Sequence, residues 1–400
     1  MERGKIMGMA LLHTPEGVRD VYGKECSRKL VLEDKVSNVF KLHSFHYIQT
    51  PTFEFFDIFN KERGSVPSKD LYKFFDREGN TLVLRPDVTP SIARSVAKYY
   101  MDEVVPLKLC YKSNTYINNS ELQGKLKENT QMGCEMIGDD SIDADAEVIV
   151  TTIEALKASG LKEFLVEIGQ VDFFKGLLEE CGISEEDEAT LIDYITSKNF
   201  FGVEDFLSKL GISEEKALGF IKLPELFGQS EVLEYAKKLT TNEKALMAIE
   251  KLEKLYSILD EYDLTKYISF DLGMIGNYKY YTGVIFKGYT YGTGDAIVTG
   301  GRYDKLLGQF GKDTAAIGFA IYVDRLLFAL NSQRVEFDDD SEFEVIIYDA
   351  LKRSEAIAMA NELRSNGICT ELILKSDNIT IDEYVNFKKT EGAVKCTYLK

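Results

Sequence analysis

The chain has 400 residues, of which 44% are hydrophobic, enough for two or three domains with sizeable cores. Its net charge is −18 and its pI is about 4.8, the opposite of the basic surface that nucleic-acid binders present. The charge therefore favours small-molecule or protein partners, and we expect no nucleic-acid partner.

The sequence shows no signal for export or membrane insertion. Met1 to Lys5 lead into only a short apolar run, and no apolar run approaches the roughly 20 residues of a membrane helix. The six cysteines form no Cys-x-x-Cys pair, which is typical of reduced thiols in a cytoplasmic protein. We therefore expect a cytoplasmic protein without membrane association.

The first third of the chain predicts a mixture of helices and strands. Apolar residues at helical spacing predict a helix over 25–43, and 47–53 is expected to be a strand interrupted by a proline. The turn residues 78–80 between two apolar runs predict a hairpin. Pro90 is placed to begin a helix.

Residues 107–111 and 130–137 are expected to be strands joined by a polar loop over 117–129. A serine followed by acidic residues predicts a capped helix over 141–159. Further strands are expected at 164–171, 267–272, 280–289 and 295–299.

Between about 175 and 262, charged helix-forming residues dominate, which predicts a helical insertion. Gly-Ile-Ser-Glu-Glu occurs there twice, but the flanking residues differ, which favours two separate helix N-caps over an internal repeat. A helix is expected at 324–331, and the last segment predicts strand, helix and strand over 343–374. The predicted domains are a core (1–331), a linker (332–342) and a small α/β domain (343–400).

Two short segments each place polar side chains on one face. Arg85, Asp87 and Thr89 alternate along a segment expected to be extended, and Gln131 and Glu135 lie four residues apart on a predicted strand. Glu135 has apolar neighbours, and a buried carboxylate requires a positive partner. A ligand ammonium group or Arg85 would supply that charge. On these residues alone, a structural ion pair is the simpler explanation.

In combination, four motifs resemble the catalytic domain of histidyl-tRNA synthetases over about residues 10–330. They are 84–89 (Leu-Arg-Pro-Asp-Val-Thr), 131–135 (Gln-Met-Gly-Cys-Glu), 280–283 (Tyr-Tyr-Thr-Gly) and 300–304 (Gly-Gly-Arg-Tyr-Asp). The resemblance implies an α+β fold with the class II synthetase core, a mostly antiparallel sheet with flanking helices that is normally dimeric. The segment after 343 resembles a truncated anticodon-binding domain.

The resemblance also implies a binding site for histidine. Its residues would be Asp87, Thr89, Gln131, Glu135, Tyr280 and Tyr281. Asp87 stands where the synthetases have glutamate, which is one methylene longer. Tyrosines suit an imidazole because they combine an apolar face with a polar tip, although two tyrosines in a strand are by themselves usually packing residues.

The groups that synthetases use for ATP are replaced. Ile117 stands in place of the arginine that holds the α-phosphate, Gly276 in place of a second catalytic arginine, and Tyr322 in place of a glycine against the adenine. Three further replacements lie in one loop: Asn119 for glutamate, and Lys125 and Lys127 for arginine. Loss of one preorganised donor typically costs about 10²–10³ in rate. The resemblance therefore implies no catalytic residues, no cofactor and little adenylation.

Four segments are more similar to the regulatory subunits of ATP phosphoribosyltransferase than to the synthetases, namely 14–20 (Thr-Pro-Glu-Gly-Val-Arg-Asp), 84–90, 280–283 and 300–311. That resemblance implies a non-catalytic allosteric subunit of histidine biosynthesis, needed for activity of the short catalytic subunit and for feedback inhibition by histidine. The implied assembly is a homodimer within a hetero-octamer-like complex with that subunit. This family often keeps an arginine at position 117, and many members end near residue 330.

Two alternatives stay open: a divergent histidyl-tRNA synthetase, and a synthetase-derived module that binds an unrelated protein. A metal site is not expected. His43 and His46 lie three residues apart, but the chain has one other histidine and no cysteine cluster.

Overall fold

The computed structural model describes residues 12–60, 66–119, 126–275, 280–336 and 342–400. The chain folds into two compact units. The first comprises Met1–Arg19 and Leu32–Val335, and the second comprises Asp20–Val31 and Glu336–Lys400. Residues 337–341 of the predicted linker lie outside the described residues, and the domain boundary at residue 331 stays a prediction.

Within the described ranges, the strands of the first unit form two sheets. In chain order they are β1 (His46–Tyr47), β2 (Phe53–Phe55), β3 (Lys73–Phe75), β4 (Thr81–Leu84), β5 (Leu107–Tyr116), β6 (Glu128–Ile137), β7 (Phe164–Gln170), β8 (Phe227–Gly228), β9 (Ile268–Asp271), β10 (Val284–Thr290), β11 (Val298–Arg302) and β12 (Ala316–Tyr322). The large sheet has the order β1-β5-β6-β12-β11-β10-β7-β9-β8, and the small one has the order β2-β4-β3. Neighbouring strands are antiparallel except for β1 with β5 and β7 with β9.

The helices of the first unit are α1 (Gly23–Leu42, which belongs to this unit from Leu32 onward), α2 (Thr89–Tyr99), α3 (Ile142–Ala158), α4 (Val171–Cys181), α5 (Glu185–Thr196), α6 (Phe200–Lys209), α7 (Glu214–Ile221), α8 (Glu231–Ala236), α9 (Glu243–Glu261) and α10 (Val323–Ser332). The predicted α+β core, a mostly antiparallel sheet with flanking helices, is confirmed. The helical character predicted for 175–262 is also found, while its origin as an insertion stays a prediction. Ser184 caps α5 by accepting from Asp187 N at 3.2 Å, and Ser213 precedes α7 without such a bond.

Helix α2 is the element that carries the predicted site into the core. Its apolar face includes Ile92 and Val96, which are fully buried, and burial of such side chains stabilises by about 1.5–3 kcal/mol each. Pro90 occupies its first turn, as predicted. The expectation that residues 85–89 are extended was wrong, because the backbone is already helical at Val88 and α2 begins at Thr89.

Several strand predictions needed correction. The segment 47–53 is not one strand: β1 joins the large sheet and β2 the small one, on either side of Pro51. Strands β5 and β6 are longer than predicted, because polar side chains hydrogen-bond across them. The Asn114 amide donates to Glu128 Oε1 (2.7 Å), and Thr130 Oγ1 donates to Asn114 Oδ1 (3.1 Å).

Strands β10 and β11 begin later than the predicted 280–289 and 295–299. Residues 280–283 form a non-strand segment, whose Thr282 N donates to Arg302 O at 2.8 Å. The predicted hairpin is confirmed as β3 and β4, with Asn80 N donating to Asp76 Oδ1 at 2.7 Å in its turn.

The second unit contains β13 (Phe343–Tyr348), α11 (Arg353–Ser365), β14 (Thr370–Leu374), α12 (Ile381–Glu391) and β15 (Ala393–Leu399). Its three strands are parallel in the order β14-β13-β15. The strand–helix–strand prediction is confirmed, but α12 and β15 were missed. The overlooked signal was the capping box of Thr380 and Glu383, which begins α12.

Gly318 on β12 lies against the β6 strand so closely that a side chain has no room. An ideal Cβ at this position would lie 1.7 Å from Glu135 Oε2 and 2.6 Å from Cys134 O. We expect Gly318→Ala to lower the free energy of unfolding by about 1–3 kcal/mol through overpacking, measured by urea denaturation. Gly294→Ala is the control, since a Cβ there meets nothing within 4 Å. Equal stability of the two variants would contradict this packing.

Candidate functional site

One cavity in the first unit collects all six residues that the sequence singled out. Its lining includes Asp87, Thr89, Gln131, Glu135, Tyr280 and Tyr281. They come from three parts of the chain: the start of α2, strand β6 and the segment before β10. The cavity is narrow, with a volume of about 20 Å³.

Asp87 is fixed by the beginning of α2. Its carboxylate accepts from Thr89 N at 3.3 Å and from the Tyr280 hydroxyl at 3.0 Å. The positive end of a helix favours a negative charge at this place. Asp87 thus joins the α2 segment to the tyrosine segment.

Arg85 does not neutralise this site. Its guanidinium donates to three backbone carbonyls, those of Asn114 (2.8 Å), Thr50 (2.8 Å) and Pro51 (3.1 Å). The interpretation of Arg85 as the partner of Glu135 was therefore wrong. Arg85 instead joins the segment before α2 to β5 and to the link between β1 and β2.

Glu135 is almost completely buried, with 1% of its surface exposed. It accepts hydrogen bonds from Thr89 Oγ1 (2.8 Å) and from the Tyr303 hydroxyl. Within the described residues, no cation pairs with it. Burial raises the pKa of its carboxyl from 4.5 to about 8, against the opposing effect of the two hydroxyl donors.

The pleat of β6 places Gln131, Gly133 and Glu135 on one face. Gln131 is buried, and its Oε1 atom has no hydrogen-bond partner within the described part of the chain. The same holds for the hydroxyl of Tyr111, which lies opposite Gly133 on β5. A buried acceptor without a donor is costly, so a ligand donor at Gln131 would be favourable.

Sequence reasoning did not assign several residues of the cavity. Tyr303 bonds to Glu135, and Thr299, Gly301, Phe319 and Ala320 complete the walls. Tyr303 belongs to the Gly-Gly-Arg-Tyr-Asp motif, so the sequence did mark it as a candidate. Its contact with Glu135 was not predictable, because the two residues are far apart in the sequence.

Arg302, in the same motif, holds the frame around the site. Its guanidinium donates to Asp145 Oδ1 (2.6 and 2.9 Å), to the carbonyls of Asp139 and Ser141, and to Asp304 Oδ1 (3.3 Å). Asp304 in turn accepts from Thr282 Oγ1 at 3.2 Å. This network connects the strand before Tyr303 with the segment that carries the two tyrosines.

Tyr322 lies between this cavity and a second one of about 290 Å³. Its hydroxyl is 3.2 Å from Thr299 Oγ1, and the Arg325 guanidinium lies 4.3 Å from its ring centre. Arg325 also donates to Ala296 O at 2.8 Å. Tyr281 and Thr299 likewise line both cavities.

The other replaced positions are only partly described. Ile117 is half-buried, and its backbone N–H donates to Lys127 O at 2.9 Å. Gly276 and Lys125 lie outside the described residues. Asn119 donates weakly to Leu126 O at 3.5 Å.

His43 and His46 do not form a metal site together in the described part of the chain. His43 lies between Glu147 (3.1 Å) and Glu154 (2.8 Å), and these carboxylates raise its pKa. The described ranges contain no group of three or more His, Cys, Asp or Glu arranged to hold a metal ion. Among the helices of those ranges, none combines the length and apolar character that a membrane crossing requires.

Comparisons with known proteins agree with this architecture. The family described as histidyl-tRNA synthetase matches residues 17–326. Histidyl-tRNA synthetase from Nostoc sp. PCC 7120 shares the fold, with a TM-score of 0.79 at 20% identity over 95% of this chain and 89% of that one. The fold and the site therefore define a protein of the histidyl-tRNA synthetase class.

The most informative relatives are named ATP phosphoribosyltransferase regulatory subunit. Those of Acetivibrio thermocellus (40% identical, 96% of this chain, 92% of the relative) and Clostridium novyi (41%, 97% and 92%) match almost throughout. The structure titled "ATP phosphoribosyltransferase regulatory subunit/histidyl-tRNA synthetase from Bacillus halodurans C" has a TM-score of 0.87 at 33% identity, over 97% of this chain and 98% of that one. The chain belongs to the family of ATP phosphoribosyltransferase regulatory subunits. The match to the Acetivibrio thermocellus relative spans 385 residues. That relative therefore does not end near residue 330, and it shares much of the second unit.

The pKa of Glu135 makes stability depend on pH. The pKa is 4.5 ordinarily and about 8 in the folded chain. The folded state therefore binds more protons, and stability is greatest at low pH and is lost as pH rises through 8. Between pH 5 and 8.5 we expect Glu135→Gln to remove a decline on the order of 4 kcal/mol, measured by urea unfolding. Identical pH profiles for the wild type and the variant would contradict this assignment.

Proposed function

We propose that this chain is a non-catalytic, histidine-sensing subunit of short-form ATP phosphoribosyltransferase. It is needed for activity of the catalytic subunit and mediates feedback inhibition by histidine. The observation that carries the proposal is the convergence of Asp87, Gln131 and Glu135 on one cavity whose described lining contains no cation. An amino acid brings the ammonium group that such a site lacks.

The polar lining gives a physical basis for selectivity. Asp87, Thr89 and Glu135 are held by hydrogen bonds to one another and to two tyrosines. A site built for hydrogen bonding rejects ligands that leave its polar groups unpaired. Histidine suits it better than an apolar amino acid of similar size.

The narrowness of the cavity supplies a mechanism for regulation. A free amino acid needs more room than about 20 Å³, so the bound state is a wider one. Tyr281 and Tyr322 also border the second, larger cavity, so a shift of either side chain toward it would widen the first. A differential affinity of about 1–3 kcal/mol between two states of the complex suffices for allosteric inhibition.

Tyr322 and its partner Arg325 also support a non-catalytic role. The phenol ring stands where synthetases leave room for adenine, and the arginine is occupied by that ring and by Ala296 O. The partner is inferred from the names of the relatives, because a regulatory subunit of ATP phosphoribosyltransferase acts on the catalytic subunit of that enzyme. We place the chain as a homodimer within a hetero-octamer-like assembly in the cytoplasm.

The proposal predicts separable effects in the complex. Co-expressed with a short-form catalytic subunit, the wild type should co-purify, raise phosphoribosyltransferase activity and confer inhibition by histidine. Glu135→Ala should retain assembly and activation but lose histidine inhibition by at least about tenfold, since a buried hydrogen-bonding group is removed. Lys209→Ala, in an exposed ion pair with Asp205, is the matched control. Wild-type inhibition in Glu135→Ala would contradict the site.

If the chain were instead a divergent histidyl-tRNA synthetase, it would activate histidine with ATP. Incubated alone with histidine, ATP and labelled pyrophosphate, this chain should give no exchange above background, because Ile117, Gly276 and Tyr322 replace the ATP-binding groups. An active histidyl-tRNA synthetase serves as the positive control. Exchange that is dependent on histidine would overturn the non-catalytic assignment.

A further inference from the structure

Strand β14 is one edge of the three-stranded sheet in the second unit, because β13 is the strand that pairs with it. The backbone groups of Cys369 and Lys375 bond to β13, at 2.9 Å each. Since successive residues of a strand direct their N–H and C=O groups to alternate sides, those of Leu372 and Leu374 point away from β13. Among the described residues, none bonds to these outward backbone groups.

The edge of β14 lacks the features that usually protect a free strand. Such protection comes from bulges, prolines or lysines within the strand. The other edge strand, β15, has a register shift beside Ala393 and the exposed Lys395. Strand β14 pairs with β13 without a register shift, and its five residues, Thr-Glu-Leu-Ile-Leu, include neither proline nor lysine. It therefore presents an open template for one more strand.

Apolar side chains flank this free edge. A groove of about 740 Å³ runs between β14 and helix α12. Its lining includes Leu374, Ile379 and Phe387, whose surfaces are 46%, 39% and 60% exposed. Exposed apolar groups that adjoin one another mark a surface that is covered in an assembly. The additional strand therefore brings apolar side chains of its own.

The charges along β14 indicate that the additional strand is β14 of a second copy. The free backbone groups require an antiparallel pairing in which outward-pointing residues face one another. A pairing centred on Ile373 places Glu371 of each copy opposite Lys375 of the other. Moving the centre by one residue in either direction would instead place Glu371 opposite the apolar Ile373 or the acidic Asp377. Opposite charges across a strand pair are favourable and like charges are not, so the first register is selected.

We propose that the edge of β14 is an interface between two copies of this chain, joined antiparallel about a two-fold axis at Ile373. The two sheets become one continuous sheet, and the outward groups of Leu372 and Leu374 bond to each other across the axis. Ile373 shares an apolar cluster with Tyr384 of α12. The α12 helices of both copies therefore lie on the same face, where each Phe387 flanks the joint. The interface involves the second unit alone and is independent of the proposed histidine site.

Disulfide formation in the full-length chain tests this register. At the axis, Ile373 and its counterpart form a non-hydrogen-bonded pair with Cα atoms about 4.5 Å apart, which a disulfide can span. Ile373→Cys, in a Cys369→Ser background that removes a nearby exposed thiol, should link two copies when oxidised with copper–phenanthroline. Leu374→Cys is the matched control. It is a neighbour on the same strand, but its Cα atom lies about 8 Å from its counterpart, which is too far for a disulfide.

On non-reducing gels we expect the linked dimer to form at least about tenfold faster in Ile373→Cys than in Leu374→Cys. Equal or faster linkage in Leu374→Cys would overturn the proposal, because random collisions favour the more exposed thiol. Absence of linkage in both variants, with native circular dichroism and unfolding midpoints, would also overturn it. So would a linked product whose mass identifies a protein other than this chain.

Charge reversal tests the pairing of Glu371 with Lys375. Lys375→Glu places two acids opposite each other, and Glu371→Lys places two lysines there. Each substitution, added to Ile373→Cys, should slow linkage about tenfold. Lys395→Glu, on the other edge strand, is the control and should leave linkage unchanged.

Co-expression of the two reversed chains separates the interface from local effects. Glu371 also pairs with Lys388 of its own copy at 2.9 Å, and mixing the chains does not restore that contact. A mixed pair does restore opposite charges across the axis. Linkage should therefore return to the unreversed rate in the mixed dimer, recognised by tags of different size. Equal linkage in the mixed and the like-charged pairs would overturn the proposed register.

Discussion

The pair of hydrogen bonds from Thr89 and Tyr303 to the buried carboxyl of Glu135 is the interaction on which the site depends. It requires α2 to begin at Thr89, the strand before Tyr303 to be fixed by Arg302, and Gly318 to leave space beside Glu135. A polar group this deep is tolerated only when its hydrogen bonds are made. The frame around the cavity therefore holds the buried polar groups of its lining in hydrogen-bonded positions.

The fold of this chain does not by itself define its function. Arginines that contact a nucleotide contribute little to the packing of an antiparallel sheet, so their replacement leaves the sheet intact, and function has to be argued from the site. Tyr322 is the most direct example: it ends β12, packs with Arg325 and occupies space between two cavities. Its side chain thus forms part of the wall of both cavities.

Secondary structure was predictable where periodicity and capping residues agree. Helix α3, with its Ser141 cap, and the β3–β4 hairpin fall close to the predicted residues. Prediction failed where contacts between distant residues override local pattern. Polar residues such as Asn114 lie within β5 because their hydrogen-bonding partners are on β6. The short strands β1 and β2 separate because each pairs with a different sheet.

By itself, the sequence determined the fold class, the family resemblance and the six residues that line the cavity, because these depend on residue type and spacing along the chain. Only the tertiary structure decided the partners. Arg85 donates to backbone carbonyls. Tyr303, which lies 168 positions from Glu135 in the sequence, donates a hydrogen bond to the Glu135 carboxyl. The raised pKa of Glu135 also came from the fold, since burial is a property of the packed molecule that no local pattern encodes.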